Sequence, residues 1–474
     1  MSRSDLPAFS ADRRSPRDHL DDISFQYIAW AAVILGVSLA LYVSYRVATQ
    51  SLLLGSVEGR SIYPYVRPFA FSSVAVAALV SAAVWCVLLL PSPALSRKAW
   101  WLVVWIVAAL GLQAALRALT PYSFERIFAS EGANSFYTVT TRYFASTVLS
   151  EFERVRELWP LHAQSNMPGK LMLVYALRHF SRRPDVLAWL VVVVSNLGAV
   201  FMYLFVRDLV GDARAGMYAA ILYLFVPAKL FFFPLLNTVT PVVALACAWL
   251  SLRWLQTGSS TWAAVFGAAL YGLTFYEPLP LVLGLLFAAL ALGSVSRGEI
   301  TWPRLAAQSG IVALAFAATF LVVRSWVGFD MYGAARLIAR HALEFNASAG
   351  RPYGVWVRAN PREFLFGVGV AQAVLFAAAL AMGLSRITRG PGRPTQPMTL
   401  FCLGLAAVAV VTDLLGINRG EVIRLWIFLA CFFQVPAAYL CARLESRAAL
   451  ALVLTSTVLQ TALGTAMIGF ILPG

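Results

Sequence analysis

The sequence predicts an all-α protein that crosses a membrane about 13 times. Three observations carry that reading. Of 474 residues, 60% are hydrophobic and only 12% charged, a composition that excludes a water-soluble globule, a disordered tail and a coiled coil. The mean hydropathy of +0.75 requires many spans, because a soluble domain hung on one anchor would pull the average below zero. The apolar surplus also runs from one end of the chain to the other, in runs of roughly 17 to 25 residues.

Residues 1–25 are polar and mixed in charge and lack the apolar core and small-residue cleavage site of a signal peptide, so they read as a cytoplasmic tail. Apolar runs follow near 26–47, 68–90, 99–118, 186–206, 215–233, 236–255, 260–275, 278–295, 304–325, 364–384, 397–416, 422–442 and 448–470. No repeat, low-complexity tract or soluble domain interrupts 26–474, which reads as a single transmembrane domain.

The net charge is +15, from 37 Lys+Arg against 22 Asp+Glu. Those cations sit in short interruptions rather than in one patch, which argues against nucleic acid and for topology and anionic lipid. Only Lys98, Lys170 and Lys229 are lysines; the arginine bias suits a GC-rich genome and a bacterial inner membrane. With the amino terminus inside, Arg97/Lys98, Arg207/Arg214, Arg253, Arg297/Arg304, Arg386/Arg389/Arg393 and Arg443/Arg447 fall in successive cytoplasmic turns. The five cysteines lie inside apolar runs without metal-type spacing.

That topology leaves two long outer segments, about 119–185 and 327–363. Loops of such length are uncommon unless they bind or catalyse. They hold His162, His179 and His341. In the first, KLMLVYALRHF (170–180) fits a short helix lying in the interface. The second reads as an amphipathic helix with Arg336, Arg340 and His341, then an extended PYGVWV stretch near Arg351 and Tyr353. Asn346-Ala-Ser is a formal glycosylation sequon of the kind that arises by chance.

Chemistry concentrates at a few places. SEGANSFYTVTTRYF (130–144) packs Glu131, Asn134, Tyr137, Arg142 and Tyr143 together; Glu131 either caps the next helix or takes a proton from a hydroxyl that Asn134 and Tyr137 hold. Glu125 is its nearest competitor. LHAQSNMPGKLML (161–173) supplies His162, Gln164, Asn166 and Lys170 at a helix start, either a plain turn or a phosphate cradle. Glu277, between two apolar runs, is costly unless paired or wet. INRGEVIRLWIF (417–428) places Arg419, Glu421 and Arg424 at a span entry, with Glu421 and Arg424 on one helix face. Two guanidinium groups there suit a lipid phosphate or simply snorkel, and Asp413 is within reach to pair with one of them. Lys229 reads as a snorkelling lysine.

This pattern of spans with two long outer segments resembles the GT-C superfamily of polytopic glycosyltransferases, which includes protein O-mannosyltransferases, aminoarabinose transferases and mycobacterial mannosyl- and arabinosyltransferases. The resemblance covers roughly residues 99–474, with the first two helices as an addition and 11 spans in the shared register. NRGEVIRLW also looks like segments of bacterial GT-C-like proteins. Many members carry an aspartate in a DE or DD pair where Glu131 here stands alone.

The resemblance implies inverting transfer of a sugar from a polyprenyl-phosphate lipid to a glycan, glycolipid or protein acceptor at the outer face. Glu131 would be the base. Lys170, Arg419, Arg424, Arg142 and His162 would hold the donor phosphate, while Asn134, Tyr137, Asn166, Glu277, Glu421 and His341 would bind substrate. No cofactor is required, although some members use a divalent metal. A flippase of lipid-linked saccharides and an O-antigen-ligase-like polymerase are the rival functions.

Overall fold

The structure, a computed structural model, describes residues 16–57, 60–89, 100–389 and 396–473. Among them the protein is α-helical apart from one small hairpin, Leu54–Val57 paired antiparallel with Arg60–Tyr63. Among the described residues eleven helices are long and apolar enough to cross a membrane, from Ser24–Ala48 to Arg447–Met467. The chain is a polytopic membrane protein. A helix already starts at Pro16, so the expected tail is helical over its last ten positions, while 1–15 and Arg97, Lys98 and Arg393 lie outside the described residues.

One expected run is a helix too short to count among these eleven, and two others are broken. Ser260–Tyr276 is a 17-residue helix packed between Leu236–Thr257 and Trp302–Val327. The 422–442 run is broken into Val422–Leu425, Ile427–Phe432 and Gln434–Arg443. The run expected at 364–384 is also two elements, because Tyr353–Val368 ends at Gly369 (φ +100°) and Val370–Arg389 starts afresh. PYGVWV is therefore helical rather than extended. Hydropathy cannot register such a break, since the residues on both sides are apolar while the backbone turns.

The connections sort onto two faces. At one, Val66 N–H donates to the Met467 carbonyl at 2.8 Å, Tyr65 pairs with Ile468, and Arg67 reaches the Leu119 carbonyl at 3.2 Å. The 118–183 segment, the 276–279 turn, residues 328–369 and the 415–421 turn lie on this same face, joined by the contacts described below. We call it the hairpin face. At the opposite face Arg304 donates to the Gly258 carbonyl at 2.8 Å, Arg447 to that of Leu88 at 3.0 Å, and Arg443 lies 5.3 Å over the Phe25 ring.

The 118–183 segment is a packed layer of short helices. Phe128, Phe136, Phe152, Trp159, Leu171 and Val174 form its own core against Leu187, Tyr271, Tyr276 and Phe329. Burying several large apolar side chains, each contributing roughly 1.5–3 kcal/mol, holds the layer on the helix ends. The helix expected in the interface is Gly169–Leu177, but its first turn faces inward, with Gly169, Lys170 and Leu171 all buried. Gly169 permits this approach, because a Cβ there would stand 2.5 Å from the Phe275 carbonyl oxygen.

Candidate functional site

That close approach carries Lys170 to the 276–279 turn. Its Nζ lies 2.9 Å from Glu277 Oε2 and donates to Asn166 Oδ1 at 2.7 Å, and the side chain is wholly enclosed. Glu277 also accepts from the Thr240 hydroxyl at 2.5 Å. Asn166 in turn donates to the His162 carbonyl at 2.7 Å, so the turn before the helix is fixed by the same lysine. Burial lowers the Lys170 pKa, and Glu277 opposes that effect. A buried pair of this kind persists only because each charge has the other and further hydrogen bonds.

A second group of charges comes from the 415–426 region. Gly416 and Gly420 take positive φ, +59° and +77°, and Glu421 follows at φ +59°. A glutamate in the left-handed region is strained by roughly 1–3 kcal/mol, and here that geometry aims its carboxylate between two arginines. Oε1 accepts from Arg351 at 2.8 Å and Oε2 from Arg424 at 2.5 Å. Burial raises the Glu421 pKa, but Arg424 and Arg351 outweigh it and hold the carboxyl below its ordinary range. Gly420 packs where a Cβ would stand 2.8 Å from Ile62 of the hairpin.

His162 joins the two groups. Its Nε2 is 3.4 Å from Arg424 Nη1, and a guanidinium only donates, so Nε2 is the acceptor and the ring proton sits on Nδ1. Burial, then Arg424, lowers the His162 pKa, which keeps the ring neutral, while Glu421 and the Gly132 backbone pull the other way. Arg424 Nε has no partner. His162, Lys170, Glu277, Arg351, Glu421 and Arg424 therefore form one partly buried constellation at the hairpin face.

The remaining expected residues are placed differently. Glu131 is adjacent to Gly132, but its carboxylate points out to Arg142 at 2.7 Å, with the two side chains 50% and 62% exposed. Arg142 lines an open groove of about 780 Å³ between Thr140–Ala145 and Tyr175–Arg182. Asn134 donates to the Phe128 carbonyl at 3.0 Å and Tyr137 to that of Arg182 at 3.1 Å. Arg419 binds the Gly416 and Arg351 carbonyls, both at 3.0 Å, and stacks on Tyr353. His341, on Met331–Ser348, feels Arg156 and Glu344 rather than the constellation. Glu125 is exposed.

Two finer expectations are corrected, and the sequon can be placed. Asp413 accepts from Asn360 at 2.9 Å and not from an arginine. Lys229 does not snorkel: it is fully buried, with its ammonium 3.6 Å from the Tyr223 ring centroid. Asn346 is buried and donates to the Ile417 carbonyl at 2.8 Å, so the sequon is enclosed.

Sequence reasoning missed Glu363 and Tyr63. Glu363 is fully buried on Tyr353–Val368, and neither carboxyl oxygen has a hydrogen-bond partner. Burial pushes its pKa up to about 7, against the pull of Arg362 and of the nearby Gly55 backbone N–H, which falls short of a well-formed hydrogen bond. Tyr63, at the end of the hairpin, is also buried with an unpartnered hydroxyl, and burial, Glu421 and Glu363 raise its pKa well above the ordinary value. Both belong to the neighbourhood of Glu421 and Arg351. Glu363 sits in a polar-looking stretch, NPREFLF, where no periodicity separates it from the exposed Arg362.

Among the described residues no group of three or more His, Cys, Asp or Glu side chains is placed to hold a metal ion. No protein-family model and no curated protein matches the chain.

Proposed function

We propose that the protein is a membrane glycosyltransferase with a GT-C-like arrangement. It would move a sugar from a polyprenyl-phosphate lipid to an acceptor hydroxyl with inversion, at the hairpin face, taken as the outer face of a bacterial inner membrane. The observation that carries this reading is the convergence of His162, Lys170, Arg351 and Arg424 with Glu277 and Glu421, from segments far apart in the chain, at the ends of the spans. Cations gathered at a lipid boundary suit a lipid phosphate.

In this reaction the acceptor oxygen attacks the anomeric carbon, the bond from that carbon to the phosphate oxygen breaks, and its electron pair leaves with the polyprenyl phosphate. Arg424 is the cation with an unpartnered, though enclosed, donor for that phosphate, Nε. Lys170, enclosed by Glu277 and Asn166, acts by its charge and by holding the His162 turn. A carboxylate takes the acceptor proton. Glu131 is the proposed base, beside Gly132 and close to the open groove where an acceptor has room.

The orientation rests on the short turns of the opposite face, which carry Arg207, Arg214, Arg297 and Arg304, while the long hairpin-face segments, richer in arginine, are largely exempt from the charge rule. Thirteen crossings follow if Ser260–Tyr276 and the broken 422–443 stretch also span.

The test is transfer of radiolabelled sugar from polyprenyl-phosphate donors to candidate acceptors by purified protein, with Glu131→Gln, Glu363→Gln and Arg424→Gln beside wild type. Wild type should transfer, and Glu131→Gln and Arg424→Gln should each lose about 100-fold or more. Full transfer by Glu131→Gln moves the base role elsewhere. Lipid exchange across vesicles without a covalent product overturns the glycosyltransferase in favour of a flippase.

A further inference from the structure

Away from the constellation, another arginine is buried without an anion. Arg117 ends the span Trp100–Arg117 and is 7% exposed, and its Nε and Nη2 have no hydrogen-bond partner. Among the described residues its close compensation is the Phe124 ring, 5.3 Å away. Thr465, 2% exposed in the last turns of Arg447–Met467, has an unpartnered hydroxyl as well. Both line one narrow cleft, closed by Thr120, Tyr122 and the backbone of 468–471, and no acidic residue lines it.

A guanidinium stays charged under all ordinary conditions. Leaving it dry and unpaired costs several kcal/mol, so the charge calls for an anion. The enclosed space is about 10 Å³, room for about one water or one oxygen atom. A phosphate fits by inserting a single oxygen, which can accept from Arg117 Nε, Arg117 Nη2 and the Thr465 hydroxyl, while its ester groups stay at the mouth. Two more cations stand nearby. Arg67 binds the Leu119 carbonyl at 3.2 Å, and Arg126 lies 5.2 Å over the Tyr122 ring.

We infer that this cleft is a receptor for the phosphate of an anionic membrane lipid, with Arg117 and Thr465 as the groups that grip one oxygen. It is separate from the Glu421 constellation: Phe470 stacks on Phe231 at 4.2 Å and packs on Tyr63 at 5.2 Å, making an aromatic wall between the two. Its position at the ends of two membrane-spanning helices favours a lipid over a soluble phosphate, because the mouth opens where headgroups lie. The site depends on no particular catalytic activity.

The experiment uses the full chain, delipidated in neutral detergent, and follows thermal unfolding during titration with phosphatidylglycerol, phosphatidylcholine or inorganic phosphate. Phosphatidylglycerol should raise the unfolding midpoint of wild type, and Thr465→Val, which keeps both shape and fold, should weaken that response about tenfold. Arg117→Met should abolish it. That variant should also unfold no earlier than wild type without lipid, since it removes the unpaired charge. Equal responses of wild type and both variants to phosphatidylglycerol would overturn the inference. So would an equal effect of inorganic phosphate, which makes the lipid unnecessary, or of phosphatidylcholine, which makes net negative charge unnecessary.

Discussion

The two faces of the helical bundle use their arginines differently. At the face away from the hairpin, Arg207 pairs with Asp208, its immediate neighbour, and Arg297 with Glu299, two residues on. Arg304 and Arg447 bind backbone carbonyls. At the hairpin face, Arg351 pairs with Glu421 across 70 residues and Arg424 meets His162 across 262. Local pairing only neutralises a charge where it happens to be. The far face has a long-range ion pair as well, Arg214 with Glu445 at 3.7 Å, but its side chains are 38% and 80% exposed, whereas Arg351, Arg424 and Glu421 are 14%, 16% and 20% exposed; enclosing charges in that way costs dehydration, and that cost marks the hairpin face as the place where function is to be sought.

The comparison is broken most directly at Lys170. Replacing it with Met leaves Glu277 without its cation in an enclosed site and should destabilise the protein by about 3–5 kcal/mol. Adding Glu277→Gln should recover a large part of that loss in thermal unfolding. If Lys170→Met is as stable as wild type, the enclosed pair is not holding the layer to the helices.

Glu363 gives a second effect, with a defined sign. Its folded pKa, about 7, lies above the ordinary 4.5, so the folded protein holds a proton there that the unfolded chain releases. The stability from this group is complete below pH 4.5, falls as pH rises through 7, and amounts to up to about 3 kcal/mol. Unfolding midpoints of Glu363→Gln against wild type across pH 4.5–8 should show that slope only in wild type.

Glu421→Gln comes next. It leaves Arg351 and Arg424 facing each other and should cost about 2 kcal/mol, with a larger drop in sugar transfer than in stability. The exposed Glu131–Arg142 pair should matter far less to folding: Arg142→Ala should change the unfolding free energy by less than about 1 kcal/mol. Smallest of all, Arg297→Ala on the far face should stay within about 0.5 kcal/mol. A cost for Arg297→Ala matching that of Glu421→Gln would erase the distinction between the faces.

Composition and run length were enough to read the all-α membrane architecture, because each span carries its own apolar length. Glu277 was legible too, as an acid wedged between apolar runs, and so was the Glu421–Arg424 pairing, three residues apart. What lay beyond reading depends on distance. Nothing local in GKLML says that Gly169 will press against Phe275 and turn Lys170 inward. The hairpin at 54–63 is too short to stand out as alternation, and Glu363 became visible only when the fold enclosed it. The Asp413 pairing failed for a similar reason: Asn360, 53 residues away, reached it before any arginine could.

The 262-residue separation of His162 from Arg424 also sets an order of manufacture. On a ribosome feeding a membrane insertion machine, the layer bearing His162 is finished long before the stretch bearing Arg424 exists, whereas Lys170 meets Glu277 much sooner. Half of the constellation must wait, folded and exposed, while helix after helix is laid beside it. Such non-local closure is slow and vulnerable to interruption, so a chain stalled before residue 424 would look well inserted and yet lack the contact that joins the two charge groups.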